Sequence, residues 1–319
     1  MLCRLAVVLL LAAPVLNAQT PARPSRSAPA VRETRDAALQ RALQNAIAGF
    51  HGRVGVYVRQ LGSGRSAAVD ADSLFPTASM IKVPILVATF DAAVAGRLDL
   101  HTPVVYRDSL RYEGDDILGS FKDSTAIEPT RLVMLMLTMS DNTAALWLQR
   151  LAGTGTAINA WLADHGFRST RVNSRTPGRE DDRTRYGWGQ TTPREIANLL
   201  VLIREGRAVS RGASEEMYRD LARSYWNGEA LSALPPWTAA AAKQGAVDHS
   251  RSEVVLVNAP SGDYVFSVIT KEQADSSWAP SNEGSVLLRR VSALLWRHFE
   301  PRHPWIPDSA AARFKPTEE

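Results

Sequence analysis

Cysteine is all but absent from this 319-residue chain: the only one is Cys3, ahead of the first apolar stretch. A chain cut after that stretch has neither a disulfide nor thiolate chemistry. Lysine is scarce as well, five residues against 32 arginines, so each ammonium is worth locating. The arginines are dispersed rather than run together, which argues against a nucleic-acid tract. None of the six histidines stands in metal-ligand spacing, and no metal site is expected. No Gly-x-Ser-x-Gly occurs, which disfavours a Ser-His-Asp hydrolase. The Gly62-Ser63-Gly64-Arg65 turn is not a phosphate loop, because no helix follows it directly. Beyond the N-terminus no stretch is apolar enough to span a bilayer.

What is present begins with a secretory signal over residues 1–18. Arg4 supplies the positive start, Leu5 to Leu16 the short apolar core, and Asn17-Ala18 the small-residue cleavage site. Cys3 precedes that core and cannot be a lipid-attachment cysteine. Residues 19–31, rich in Pro, Ser and Ala, read as a flexible leader. The expectation is an exported protein, periplasmic or secreted, acting as a monomer.

Periodicity predicts a helix from Arg32 with Leu39, Leu43, Ile47 and Phe50 on one stripe. A hairpin of two strands follows, Arg53 to Leu61 and Ser66 to Val69. Helices dominate the middle, among them the apolar Pro129 to Met139 and a second through Trp147 and Leu151. Residues 168–190 are polar and aperiodic and read as a long loop. Thr192-Pro193-Arg194-Glu195 restarts order with an N-cap signal. Three more strands, Ala239 to Ala246, Glu253 to Val257 and Tyr264 to Thr270, precede a final helix from Ser285 to Phe299. Residues 301–319 read as loose. The fold class is therefore α/β (α+β): a five-stranded antiparallel sheet flanked by helices, plus a mainly helical domain. Residues 32–300 form the catalytic unit, with a sheet part (32–72 and 239–300) and a helical part (73–238). A chemical site belongs at the seam.

Ser79 and Lys82 open an apolar helix, three residues apart and so on one face. A serine attacks only when a neighbouring base takes its proton, and a lysine can be that base only if its pKa is lowered. Ser140-Asp141-Asn142 ends a core helix, and Lys243-Gln244-Gly245 lies on a strand from the other half of the chain.

In this order and context the three motifs resemble those of class A serine β-lactamases and the related penicillin-binding proteins, from about Ala37 to Phe299. The resemblance implies that Ser79 forms an acyl-enzyme, Lys82 is its base or relay, and Ser140 passes a proton to the leaving nitrogen. It implies an oxyanion hole from the Ser79 and Ala246 N–H groups, next to Gly245. Asn142 would bind the substrate's amide side chain, and Lys243 and Gln244 its carboxylate. No cofactor is implied, and the partner is a small β-lactam or peptidoglycan-like substrate. Two departures stand out. Gln244 replaces a hydroxyl residue, and Thr176-Pro177 stands where the family has the glutamate that activates the deacylating water. Glu180, ahead of Asp181 and Asp182, is the substitute expected here, and Arg251 is a candidate second carboxylate partner. A slow-deacylating penicillin-binding peptidase or esterase, and a non-catalytic sensor domain, are the alternatives.

Overall fold

The computed structural model describes residues 31–112 and 116–316. The signal and nearly all of the leader lie outside the described residues, as do residues 317–319.

A two-residue strand β1 (Thr34–Arg35) leads into helix α1 (Ala37–Ile47), then strands β2 (Arg53–Gln60) and β3 (Arg65–Val69). A short β4 (Phe75–Pro76) and one 3₁₀ turn (Ala78–Ile81) run directly into helix α2 (Lys82–Val94). The small pair β5 (Val104–Val105) and β6 (Ala126–Ile127) brackets an irregular stretch. Helices α3 (Pro129–Thr138), α4 (Asn142–Leu151) and α5 (Thr154–Asp164) follow. After them come β7 (Arg171–Val172), α6 (Glu180–Tyr186), β8 (Gly189–Thr191), α7 (Pro193–Arg204) and α8 (Arg211–Leu221). Strands β9 (Ala240–Val247), β10 (Ser250–Val257) and β11 (Tyr264–Lys271) and helix α9 (Glu283–Phe299) complete the order.

The main sheet has six strands, β1-β3-β2-β11-β10-β9, rather than the expected five. The extra one is β1, which pairs parallel to β3 through Thr34 and Arg35. It is too short to show a period in sequence. All other ladders in this sheet are antiparallel. Alternation then sorts side chains to two cores. Val54, Val56 and Val58 of β2 meet Leu39 and Leu43 of α1 and Leu287, Val291 and Leu295 of α9. Tyr57 and, on β10, Val254 and Leu256 point the other way, into the larger core with α2, α3, α4 and α7. The first helix begins at Ala37, not Arg32, because the Asp36 carboxylate caps it by accepting from the N–H groups of Ala38 and Leu39.

Two further expectations are corrected. The polar stretch 168–190 is not a bare loop: it folds into β7, α6 and β8, with β8 pairing to both β4 and β7. Its charged residues are helix-forming, and a seven-residue helix is too short to reveal a stripe. The C-terminal segment is not loose through residue 316. Trp296 Nε1 donates to the His303 carbonyl at 2.8 Å, Trp305 packs on the α9 core and stacks edge-on against Trp237, and residues 309–314 form a short 3₁₀ helix.

Glu195 secures the start of the loop region. Thr192 caps α7 by accepting from the Glu195 N–H at 3.1 Å. The Glu195 carboxylate does not complete a reciprocal capping box. It accepts from the N–H groups of Arg168, Ser169 and Thr170, and from the Thr170 hydroxyl, at 2.7–3.1 Å. Removing it strands several backbone donors, so Glu195→Ala should lose about 2–3 kcal/mol of stability. Chemical denaturation of the variant beside the parent protein measures that loss; an unchanged midpoint would show that Glu195 is dispensable.

Candidate active site

Ser79 sits in the 3₁₀ turn and Lys82 is the first residue of α2. Pro84 falls in the first turn of α2, where a missing N–H leaves no intrahelical bond unmade. The tighter winding precedes it, so the proline is not where the helix changes course. Ten residues of α2 are buried, Lys82 completely. Its Nζ lies 3.0 Å from Ser79 Oγ, 3.0 Å from Ser140 Oγ and 2.8 Å from Asn142 Oδ1, and it donates to the Ser140 carbonyl. Burial first, and then the charge of Lys243, hold its pKa well below the ordinary lysine range. Asp116 and Asp141 oppose this less strongly.

Ser140 stands between two amines. Lys243 Nζ, also fully buried, donates to Ser140 Oγ at 3.1 Å and to the Gln244 carbonyl and Oε1 at 3.0 and 2.8 Å. Lys243 points to the helical side because it is paired with Val254 of β10, whose side chain lies in that core. Gln244 points the other way by parity, and its amide bends back to Lys243. Two residues carry the cost of this convergence in their backbone: Ala78 (φ 43) and Ser140 (φ 62) hold the left-handed region. That conformation costs about 1–2 kcal/mol for a residue with a Cβ.

Asp116 and Asp141 hold the turn that carries Ser140 and Asn142. Asp116 accepts from the Asn142 and Thr143 N–H groups and the Thr143 hydroxyl, at 2.7–2.9 Å. Asp141 accepts from the N–H groups of Ala144 and Leu118, and burial raises its pKa. Sequence reading missed Asp116, which lies 26 residues before Asn142 in a stretch with weak signals.

Gly245 packs against the backbone of the Ser79 turn. A Cβ there would come within 2.6 Å of the Thr77 carbonyl and 2.9 Å of the Ser79 N. Only glycine lets edge strand β9 come this close, which brings Ser79 and Ala246 to the wall of one cleft. The cleft, about 620 Å³, is also lined by Tyr112, Asn142, Arg185, Trp188, His249, Lys271 and Glu272. Tyr112 and Trp188 meet edge-to-face at 5.0 Å. Apart from Asn142, this second group went unnoticed in sequence, because it is drawn from four separate segments of the chain: Tyr112, the α6–β8 region, the β9–β10 turn and the end of β11.

Two expected site residues are elsewhere. Glu180 opens α6, is exposed, and its carboxylate accepts from Gly178 N at 3.1 Å. Helix formation turns it outward, and it does not line the cleft. Asp182 is taken up by Arg179 at 2.8 Å, and Thr176 is packed against Gly155 of α5. Among the described residues, Glu272 is the only carboxylate lining the cleft. Arg251 is directly opposite Ala246 in the ladder, on the α9 side. Its guanidinium donates to the carbonyls of Val247, Ser250 and Ser277 and stacks on Trp278 at 4.5 Å. Strand parity, with no bulge to reverse it, removes Arg251 from the Lys243 side. Among the described residues no cluster of metal-binding side chains occurs.

Because Lys243 is a principal cause of the lowered Lys82 pKa, Lys243→Met should raise it. Titration of the Lys82 ε-carbon by NMR checks the sign; a pKa that stays or falls would rule out coupling between the two amines.

A family model described as the β-lactamase enzyme family matches residues 38–299. A β-lactamase of Streptomyces fradiae is 31% identical over 175 residues, 50% of this chain and 56% of that protein; the chain thus matches little more than half that relative's length. Among solved structures, PBP-A superposes with a TM-score of 0.77 at 27% identity, covering 86% of this chain and all of that one. A glutamate-for-leucine variant of PBP-A, captured as an acyl-enzyme with penicillin G, gives 0.75 at 28% identity, covering 85% of this chain and 99% of that one. With the matched segment running from α1 through α9 and enclosing every element of the cleft, the chain belongs to the β-lactamase enzyme family.

Proposed function

We propose that this protein is a serine hydrolase that opens β-lactam rings through an acyl-enzyme on Ser79. The observation that carries the reading is the Lys82 amine, buried and within 3.0 Å of both the Ser79 and Ser140 hydroxyls. A neutral amine has two N–H donors and one lone pair. The Ser140 carbonyl and Asn142 Oδ1 cannot donate, so they take both N–H groups. The lone pair is then left for a hydroxyl proton. With the pKa lowered as described, the neutral form is the one required of a base near pH 7.

In the first step Ser79 Oγ bonds to the lactam carbonyl carbon as its proton passes to Lys82 Nζ. The carbonyl oxygen gathers negative charge between the Ser79 and Ala246 N–H groups. The C–N bond then breaks, and the nitrogen takes the Ser140 proton, which Ser140 recovers from Lys82. Lys243 sets a positive field for the substrate carboxylate. Asn142, with Oδ1 committed to Lys82, turns its NH₂ toward the cleft as a donor to the substrate's amide carbonyl.

A second reading is favoured by the loop. No carboxylate from residues 168–190 lines the cleft, so water attack on the ester lacks the base that the related enzymes draw from that segment. Such a protein would release the acyl group slowly, as a penicillin-binding peptidase or esterase does. Export to the periplasm or medium, proposed from residues 1–18, places either activity where cell-wall peptides and β-lactams occur.

Incubation with a chromogenic cephalosporin, followed by colour and intact mass, separates the two. Sustained colour marks turnover, and a lasting one-to-one adduct marks slow release. Ser79→Ala should abolish both, and labelling that survives in this variant would remove Ser79 as the nucleophile.

A further inference from the structure

The substrate preference of the cleft rests on the acyl-enzyme reading, in which Ser140 and Lys243 fix the leaving half of the substrate. The acyl half must therefore extend the other way along the cleft, past Asn142 and Ala246, toward the end of α6 and the end of β11. That end is charged. Arg185 lines it, its guanidinium 5.2 Å above the Tyr186 ring and without a carboxylate partner among the described residues. Lys271 lines it from β11, donating to the Leu74 carbonyl at 2.8 Å with its ammonium 4.9 Å from the Phe75 ring. Burial, followed by Arg53 and by a smaller effect of Arg185, lowers the Lys271 pKa against the pull of Glu272 and Asp70. The two cations line the same cleft and lie close enough to repel each other weakly. His249 faces the Gln273 carbonyl through Nδ1 at 3.0 Å. That contact requires a proton on Nδ1 and leaves Nε2 as the ring's second hydrogen-bonding position.

We infer that this end of the cleft favours substrates whose acyl side chain carries a carboxylate, with Arg185 and Lys271 as the specificity-determining cations. Glu272, the one carboxylate lining the cleft among the described residues, moderates the preference. A carboxylate placed there relieves the repulsion between the cations, whereas an ammonium adds to it. Because Arg185 and Glu272 are exposed, the effect is on encounter and acylation and is screened by salt.

Benzylpenicillin, carboxybenzylpenicillin and aminobenzylpenicillin differ only in the substituent on the side-chain α-carbon: hydrogen, carboxylate or ammonium. The test is the second-order rate constant for ring opening of each by the mature protein. At low ionic strength the carboxylate compound should react about tenfold faster than the ammonium compound, a ratio that shrinks as salt is added. Arg185→Gln should bring the ratio toward one and Glu272→Gln should raise it; a general loss of folding cannot move it in opposite directions. A ratio at or below one in the parent protein, or one unchanged in Arg185→Gln, overturns the inference while ring opening itself stands. Ring opening with none of the three compounds overturns the acyl-enzyme reading with it.

Discussion

Two buried amines facing one serine hydroxyl are the constraint to which the rest of the structure answers. Lys82 and Lys243 each lie about 3 Å from Ser140 Oγ, one from a helix and one from a strand. Neither charge could be buried without compensation. The fold meets that demand in two ways. It places Asp116 and Asp141 behind the Ser140 turn, and it lets Lys82 lose its proton more readily than a surface lysine. The requirement for a base and the penalty for burial thus point in one direction. The sheet, the central helix and the short turn after α3 are the supports needed to bring three distant segments to a single point.

Legibility in the sequence followed the range over which each cause acts. Most long elements with clear periods were readable, because amphipathic spacing is a local property, but the eleven-residue helix α8 was missed and α1 starts five residues later than expected. The four polar side chains Ser79, Lys82, Ser140 and Lys243 were readable because each stands in a short motif on a recognisable element. Arg251 failed for a reason of parity: eight positions along the chain include a turn, and only the ladder register shows which face results. Glu180 failed because an aperiodic charged stretch hid a seven-residue helix that turns the carboxylate outward. Asp116 and the sixth strand depend on partners tens of residues away, and nothing in their own neighbourhood announces them.

The loop region is held by polar contacts rather than by apolar packing alone. Glu195 gathers three backbone donors at its start. Farther along, the Arg179 guanidinium joins two buried amides, Asn173 just past β7 and Gln190 on β8. The segment is therefore a folded wall of the cleft in its own right. Its carboxylates stay out of the cleft, Glu180 accepting from the Gly178 N–H and Asp182 pairing with Arg179.

The glycine contact between β9 and the Ser79 turn has a consequence for how this protein can change over generations. It joins the Ser79 turn to the sheet edge largely through backbone atoms, and none of the atoms nearest a Gly245 Cβ comes from residues 175–184. On the acyl-enzyme reading proposed above, substitutions in that segment would bear on the lifetime of the acyl group, while the parts that form the adduct would be inherited intact.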